Sequence, residues 1–393
     1  MLSRRLPVAI SLSLVIAFSA CSGDASTGPP SDADFAKGGK KGAGSAPPPM
    51  AEQPTQLDVY GVWHCGNDYC TWGTVRDVGP SSTFDTDNHW LIDRGDGRPS
   101  VNLVVLSFVN PLELLNETTE ADPLAGIPVG MTQEVVDYFT SADIRVMLSI
   151  GGITYVDDWN AALASNPTQL GLNAAKVASE LGVGIEIDYE ENTNPDTVGL
   201  QAFIDAYRSV HEYDAGGTNP EARLTIDLAA GDRWLIALTR HATLNWLSVD
   251  EPVLDYANAM VPNRQPGSAD DAIANWYEHI EGKPRYDPPI PALAPAKFTG
   301  SLYIVTGKQP APECVNFPAS LQNATSDFVQ RALPNPVDHP DASAGMLGYM
   351  FWAAGSPSPR RISTAPPNSC EGGVGLGAST FDIPIAMEPL RQH

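Results

Sequence analysis

Gly182-Val183-Gly184-Ile185-Glu186-Ile187-Asp188-Tyr189-Glu190 reads as a β-strand with two unlike faces. Side chains alternate along a strand. Gly184, Glu186, Asp188 and Glu190 therefore point one way, and Ile185, Ile187 and Tyr189 the other. On an edge strand the acids would simply face water, and that is the alternative reading of the stretch. The flanking chain argues against it, because apolar strands alternate with helical segments, and sheets built that way are covered on both faces. Three carboxyl groups on the inner face of a covered sheet lose solvation and repel one another. Both effects raise the pKa of at least one of them. A carboxyl group raised in this way becomes a proton donor near neutral pH.

Before the acidic stretch, strands are read at Leu57–Trp63, Val101–Val109 and Ile144–Ile150, the last running into Gly151-Gly152. Helices are read at Thr132–Thr140 and Pro167–Leu181, the second with Pro at its start and Gly182 after its end. After the stretch, helices at about Pro195–Tyr213, Trp234–Trp246, Ala269–Glu281 and Pro318–Leu333 alternate with strands at Leu224–Ala230, Leu254–Val261, Ser301–Thr306 and Gly345–Trp352. The segment Phe84 to Pro99, rich in Asp, Asn and Gly, reads as a loop. Eight strands alternating with helices predict an α/β protein, a (β/α)8 TIM barrel. The 393-residue length suits one large barrel with insertions.

The remaining chain reads as an address and a tether. Arg4 and Arg5 precede an apolar run from Leu6 to Phe18, too short to span a membrane comfortably, and Ser19-Ala20-Cys21 follows. Small residues directly before a cysteine resemble the bacterial lipobox. Residues 1–20 are thus expected to be a signal peptide, with Cys21 the lipidated first mature residue of an exported, envelope-anchored protein; an ordinary secretory signal is the alternative. Residues 21–56, with Lys37-Gly38-Gly39-Lys40-Lys41-Gly42 and Pro47-Pro48-Pro49, are expected to be a disordered, flexible linker, and 57–393 the barrel domain. Export and an even number of remaining cysteines favour disulfides, most simply Cys65–Cys70 and Cys314–Cys370. The formal net charge of -24 would repel nucleic acid phosphates and excludes that class of partner. No metal site is expected. Asp85, Asp87, Asp93 and Asp96 do not fit the EF-hand spacing, and His64, Cys65, Cys70 and His89 match no common zinc finger.

From Leu57 onward the chain resembles glycoside hydrolase family 18, the chitinases and endo-β-N-acetylglucosaminidases. The family's third strand ends in Ser-x-Gly-Gly, matched by Ser149-Ile150-Gly151-Gly152. Its fourth strand carries Asp-Gly-x-Asp-x-Asp-x-Glu, aligned with Val183, Gly184, Glu186, Asp188 and Glu190. Its eighth strand ends near a Trp that floors the sugar site, as Trp352 does here. The resemblance implies hydrolysis of β-1,4-linked N-acetylglucosamine chains, in chitin or the N-glycan core, assisted by the substrate itself. It implies Glu190 as general acid and base, Asp188 as the partner of the substrate acetamido group and Glu186 as the carboxyl that shares a proton with Asp188. Ser149, Gly151, Asn263 and Asp232 are expected to line the substrate site with Trp352. No cofactor is implied, and the protein is expected to act as a monomer on its glycan.

Three departures stand out. Val183 and Glu186 replace the first two aspartates of the fourth-strand motif. In the sixth strand Met260-Val261-Pro262-Asn263 puts Pro262 in place of a tyrosine that helps hold the acetamido group, although a shift of a few residues brings Tyr256 near. A non-catalytic, lectin-like glycan-binding relative is therefore the alternative function. A barrel hydrolase with a carboxylate nucleophile is a further one, with Asp227 as its second acid.

Overall fold

The computed structural model describes residues 47–65, 70–93, 97–118, 124–231, 234–260, 269–303 and 323–354. Cys21, Asp232, Pro262, Asn263, Cys314 and Cys370 lie outside them.

The predicted barrel is what forms. Strands β1 (Val59–Cys65), β2 (Leu103–Val109), β3 (Arg145–Gly151), β4 (Gly184–Asp188), β5 (Leu224–Leu228), β6 (Ala257–Ala259), β7 (Phe298–Tyr303) and β8 (Gly348–Ala354) pair in sequence order into a closed barrel. Every ladder is parallel, including the closing one between β1 and β8. Strand ends follow their partners rather than the apolar runs. Thus β7 begins at Phe298, which pairs with Ala257, and ends at Tyr303, which pairs with Trp352, earlier than the expected span of 301–306.

The helices between strands include three that the sequence reading missed. Helix α1 (Thr83–Ile92) replaces the expected loop. Its Ser82 cap accepts from the Asp85 amide, and Phe84, Asn88 and Leu91 turn to one buried side. Helix α2 (Pro111–Asn116) starts from Asn110, whose side chain accepts from the Leu112 and Glu113 amides, with Pro111 in the first turn. Helix α3 (Gln133–Thr140) was expected; α4 (Val156–Ser165) was not. Helix α5 (Pro167–Leu181) has the predicted bounds, and Gly182 ends it at φ +67°, a left-handed conformation that glycine adopts without strain. Helices α6 (Thr197–Val210), α7 (Ile236–Asn245), α8 (Ala269–Glu281) and α9 (Asn323–Arg331) complete the outer layer.

The alternation read in the fourth strand is realised. Ile185, Ile187 and Tyr189 join the core between barrel and helices, with Leu170, Val177, Leu200 and Phe203. A second, smaller core fills the barrel itself with Val59, Trp63, Leu103, Val105, Met147, Tyr256, Leu347 and Met350. Residues before Leu57 also contact the segment around α9. Met50 bridges Ala332, the Ala51 and Thr55 amides bond to the Arg331 and Gln330 carbonyls, and Arg331 returns a bond to the Ala51 carbonyl.

Candidate active site

The acids climb from the packed interior of the barrel toward its C-terminal end, where barrel enzymes place their sites. Glu186 is fully buried, Asp188 keeps 4% of its surface and Glu190, two residues past the end of β4, keeps 9%. Glu186 is pinned from across the barrel. Its Oε1 accepts from the Trp63 indole N–H of β1 at 2.8 Å, and its Oε2 accepts from the Asn258 amide of β6 at 2.7 Å. Asn258 is held in turn by the Thr299 hydroxyl of β7, which donates to its Oδ1 at 2.7 Å. Strands β1 and β6 directly, and β7 through Asn258, thus fix one carboxyl group of β4. Ser149 stands beside Glu186 in register, and Gly151 beside Asp188.

Gly151 explains why Ser-x-Gly-Gly closes β3. At φ +120°, a Cβ there would run into the Asp188 carbonyl oxygen and the Trp159 indole nitrogen. The same Asp188 carbonyl accepts from the Gly152 amide at 3.0 Å and from Trp159 Nε1 at 3.2 Å. Gly151→Ala is therefore expected to cost about 2–4 kcal/mol of stability, through backbone strain and a displaced Asp188. A lower urea midpoint with an unchanged slope checks this.

The turn that carries Glu190 is tied down on both sides. Tyr189 donates from its hydroxyl to Asn160 Oδ1 at 2.5 Å and accepts from the Asp196 amide at 3.1 Å. Glu191 accepts from the Thr193 and Asn194 amides, which hold its carboxyl below the ordinary range. Asn192 Oδ1 accepts from the Leu235 amide at 2.7 Å, linking this turn to the start of α7.

Burial dominates the electrostatics. It raises Glu186 to about 7, against the lowering pull of the hydrogen bonds from Trp63 and Asn258. Asp188 is raised well above its ordinary value by burial first, then by the charges of Glu190 and Glu186. Asp227, pointing inward from β5 in register with Asn258, is raised by burial and by Glu186 and Asp188. Asp188 Oδ1 is buried and has no hydrogen-bond partner among the described residues. A buried carboxyl oxygen in that position costs free energy until a donor reaches it.

Trp352, at the C-terminal end of β8, is half-buried. Its ring stacks on Phe108 at 5.7 Å with 23° between planes and tilts against Trp63 at 6.3 Å. The disulfide Cys65–Cys70, as expected from the sequence, packs with Ala353 beneath Trp352 and Phe108. The result is an aromatic floor beside the acids, suited to the apolar face of a sugar ring.

No protein-family model and no curated protein matches the sequence. Among solved structures, the chain path is similar to that of family 18 chitinases. One from Pseudoalteromonas aurantia is 12% identical, the match covering 82% of this chain and 99% of that one, at a TM-score of 0.48. The group IV chitinase of Ostrinia furnacalis is 13% identical over 83% of this chain and 98% of its own, at 0.42. A Cycas revoluta chitinase in complex with an N-acetylglucosamine trimer is 13% identical over 76% and 97%, at 0.39. At such identities only the chain path is comparable.

The structure brings Ser149, Gly151, Glu186, Asp188, Glu190 and Trp352 to one end and interior of the barrel. Asp232 and Asn263 lie outside the described residues. Tyr256 does not supply the missing tyrosine. It sits one layer down in the barrel core, its ring 5.8 Å from the Arg223 guanidinium. Sequence reading missed Trp63, Asn258 and Thr299. The inward parity of their strands was the available signal, since each directly follows a residue of the core between barrel and helices: Val62, Ala257 and Phe298.

Proposed function

We propose that this chain is a glycoside hydrolase of the chitinase kind, cleaving β-1,4-linked N-acetylglucosamine chains with help from the substrate. The observation that carries the reading is Asp188: a buried carboxyl with one oxygen unpartnered among the described residues, two positions after a pinned Glu186 and two before the more exposed Glu190. An acetamido N–H is the donor that Asp188 Oδ1 lacks.

The chemistry follows from those places. The sugar stacks on Trp352, and its acetamido N–H donates to Asp188. Glu190 gives its proton to the glycosidic oxygen as the bond to the anomeric carbon breaks. The acetamido oxygen closes on that carbon, and the oxazolinium ring that forms carries a positive charge beside Asp188. Glu190, now a carboxylate, takes a proton from water, and the water oxygen opens the ring from the face the leaving group occupied. Two displacements at one carbon retain its configuration.

The test is incubation with chitin oligosaccharides and, separately, with a glycoprotein bearing N-linked glycans, read by mass spectrometry and by early-time proton NMR of the new reducing end. Cleavage that first yields the β-anomer is expected, and the substrate cut chooses chitin or N-glycan. An α-anomer first would sink the substrate-assisted route. Binding of either glycan without cleavage would replace hydrolysis by the glycan-binding alternative.

A further inference from the structure

Asp227 has no part in the chemistry just described, yet it lies within the same cluster. It projects inward from β5, is 2% exposed, and stands in register with Asn258 on the neighbouring strand. Its carboxyl lies against that of Glu186, whose Oε2 accepts from the same Asn258. Asp227 Oδ1 is buried without a partner among the described residues.

Two carboxyl groups hydrogen-bond to each other only when one of them holds a proton. The location of that proton follows from the other donors. Glu186 already accepts from Trp63 Nε1 and Asn258 Nδ2, one on each oxygen, and both bonds favour its charged form. Among the described residues Asp227 meets only Asn258 as an N–H donor, and its Oδ1 has none. The titratable groups that face it are Glu186 and Asp188, both from β4 and both acidic. From β6 it meets the neutral Asn258, with Tyr256 a layer below in the barrel core.

We infer that Asp227 is a positioning residue, kept as a neutral carboxylic acid in the working protein and donating its proton to Glu186. Glu186 then receives three donors, from β1, β5 and β6, and its charge is fixed in place. Asp188 faces one constant negative charge instead of two, and is free to ionise when positive charge builds up on the sugar. Burial, which raises Asp227, acts in the same direction. The value of this proton to turnover rests on the glycosidase reading; its existence does not.

The experiment therefore has two arms. Infrared spectra of the whole protein at pH 7 are compared with those of Asp227→Asn. A protonated-carboxyl carbonyl band in the parent that disappears in the variant is expected. Asp188 contributes a band of its own to both proteins, so a parent-minus-variant difference spectrum without a protonated-carboxyl band overturns the assignment. In the second arm turnover of chitin oligosaccharides is measured for Asp227→Asn, which keeps a neutral N–H donor, and for Asp227→Ala, which keeps none. A fall of less than about tenfold for Asn and of about a hundredfold or more for Ala is expected. Equal and large losses in two folded variants would mean that a charged Asp227 is needed, and would sink the proposal. Should the parent cleave no glycan, the glycosidase reading fails and the infrared arm still decides the proton. Should Asp227→Ala fail to fold, the Asn variant and the band decide.

Discussion

Glu190→Gln is expected to lower kcat against N-acetylglucosamine oligomers by about a thousandfold or more while leaving KM within a few-fold. The glutamine has nearly the shape of the acid and fits the same turn, where Tyr189, Glu191 and Asn192 are each tied to backbone or side chain. What it loses is the proton. The proposed mechanism uses Glu190 twice, as acid when the glycosidic bond breaks and as base when water opens the ring, and such a role contributes about 10²–10⁴ in rate. A thousandfold loss corresponds to about 4 kcal/mol of transition-state stabilisation. The same proposal assigns binding to the Trp352 floor and to Asp188, which the substitution leaves in place, so KM should not follow kcat. A nitrophenyl glycoside, whose leaving group needs little help from an acid, should show a smaller fall, because only the second task is lost. The charge of Glu190 also helps to raise Asp188. Removing it lets Asp188 ionise more readily, which should strengthen rather than weaken binding of the acetamido group. A folded variant with more than a tenth of parental turnover on natural oligomers would remove Glu190 from the mechanism.

The parts of this site that were legible in the sequence are those written in short-range periods. The two-residue alternation of Gly184, Glu186 and Asp188 against Ile185, Ile187 and Tyr189 sorts the strand into an interior face and a helix-facing one, and the two cores divide along it. The bounds of Pro167–Leu181 were legible because proline and glycine punctuate both ends. Helix α1 was not, because its signal is one capping bond from Ser82 to the Asp85 amide inside a stretch whose Asp and Asn content also favours turns. Asn258 and Trp63 were hidden for a different reason. Trp63 meets Glu186 across 123 residues of chain, only because eight strands close on themselves. No local pattern carries that distance. Asp227 was visible only as a spare acid, since its meaning depends on Glu186 being pinned by two other strands. Tyr256 shows the reverse error. Its position in the chain offers it as the absent tyrosine, but its layer in the barrel places it in the core below the acids.

Asp188→Asn is expected to move activity and stability in opposite directions. Turnover should fall by about 10²–10³, since an amide cannot carry the negative charge that the oxazolinium ring needs beside it. Stability at neutral pH should rise. Asp188 is buried, is repelled by Glu190 and Glu186, and leaves Oδ1 unpartnered among the described residues. In the folded protein its carboxyl therefore keeps a proton that the unfolded chain has shed. Where the folded state binds more protons, stability falls as pH rises. The contribution of such a group is whole below the ordinary carboxyl range, near pH 4, and is lost as pH climbs through the raised value. Each pH unit by which a carboxyl's titration is raised amounts to about 1.4 kcal/mol. Asparagine has the same shape and no charge to bury. The difference in Tm between variant and parent should thus be small at pH 4.5 and grow to several degrees in favour of the variant by pH 8, as thermal unfolding across that range would show. Groups remote from Asp188, His241 among them, act equally in both proteins and cancel in the difference. A variant destabilised to the same extent at both pH values would mean that the folded protein already holds Asp188 ionised and compensated. In that case the carboxylate would be an anchor of the barrel rather than a strained group held ready for substrate.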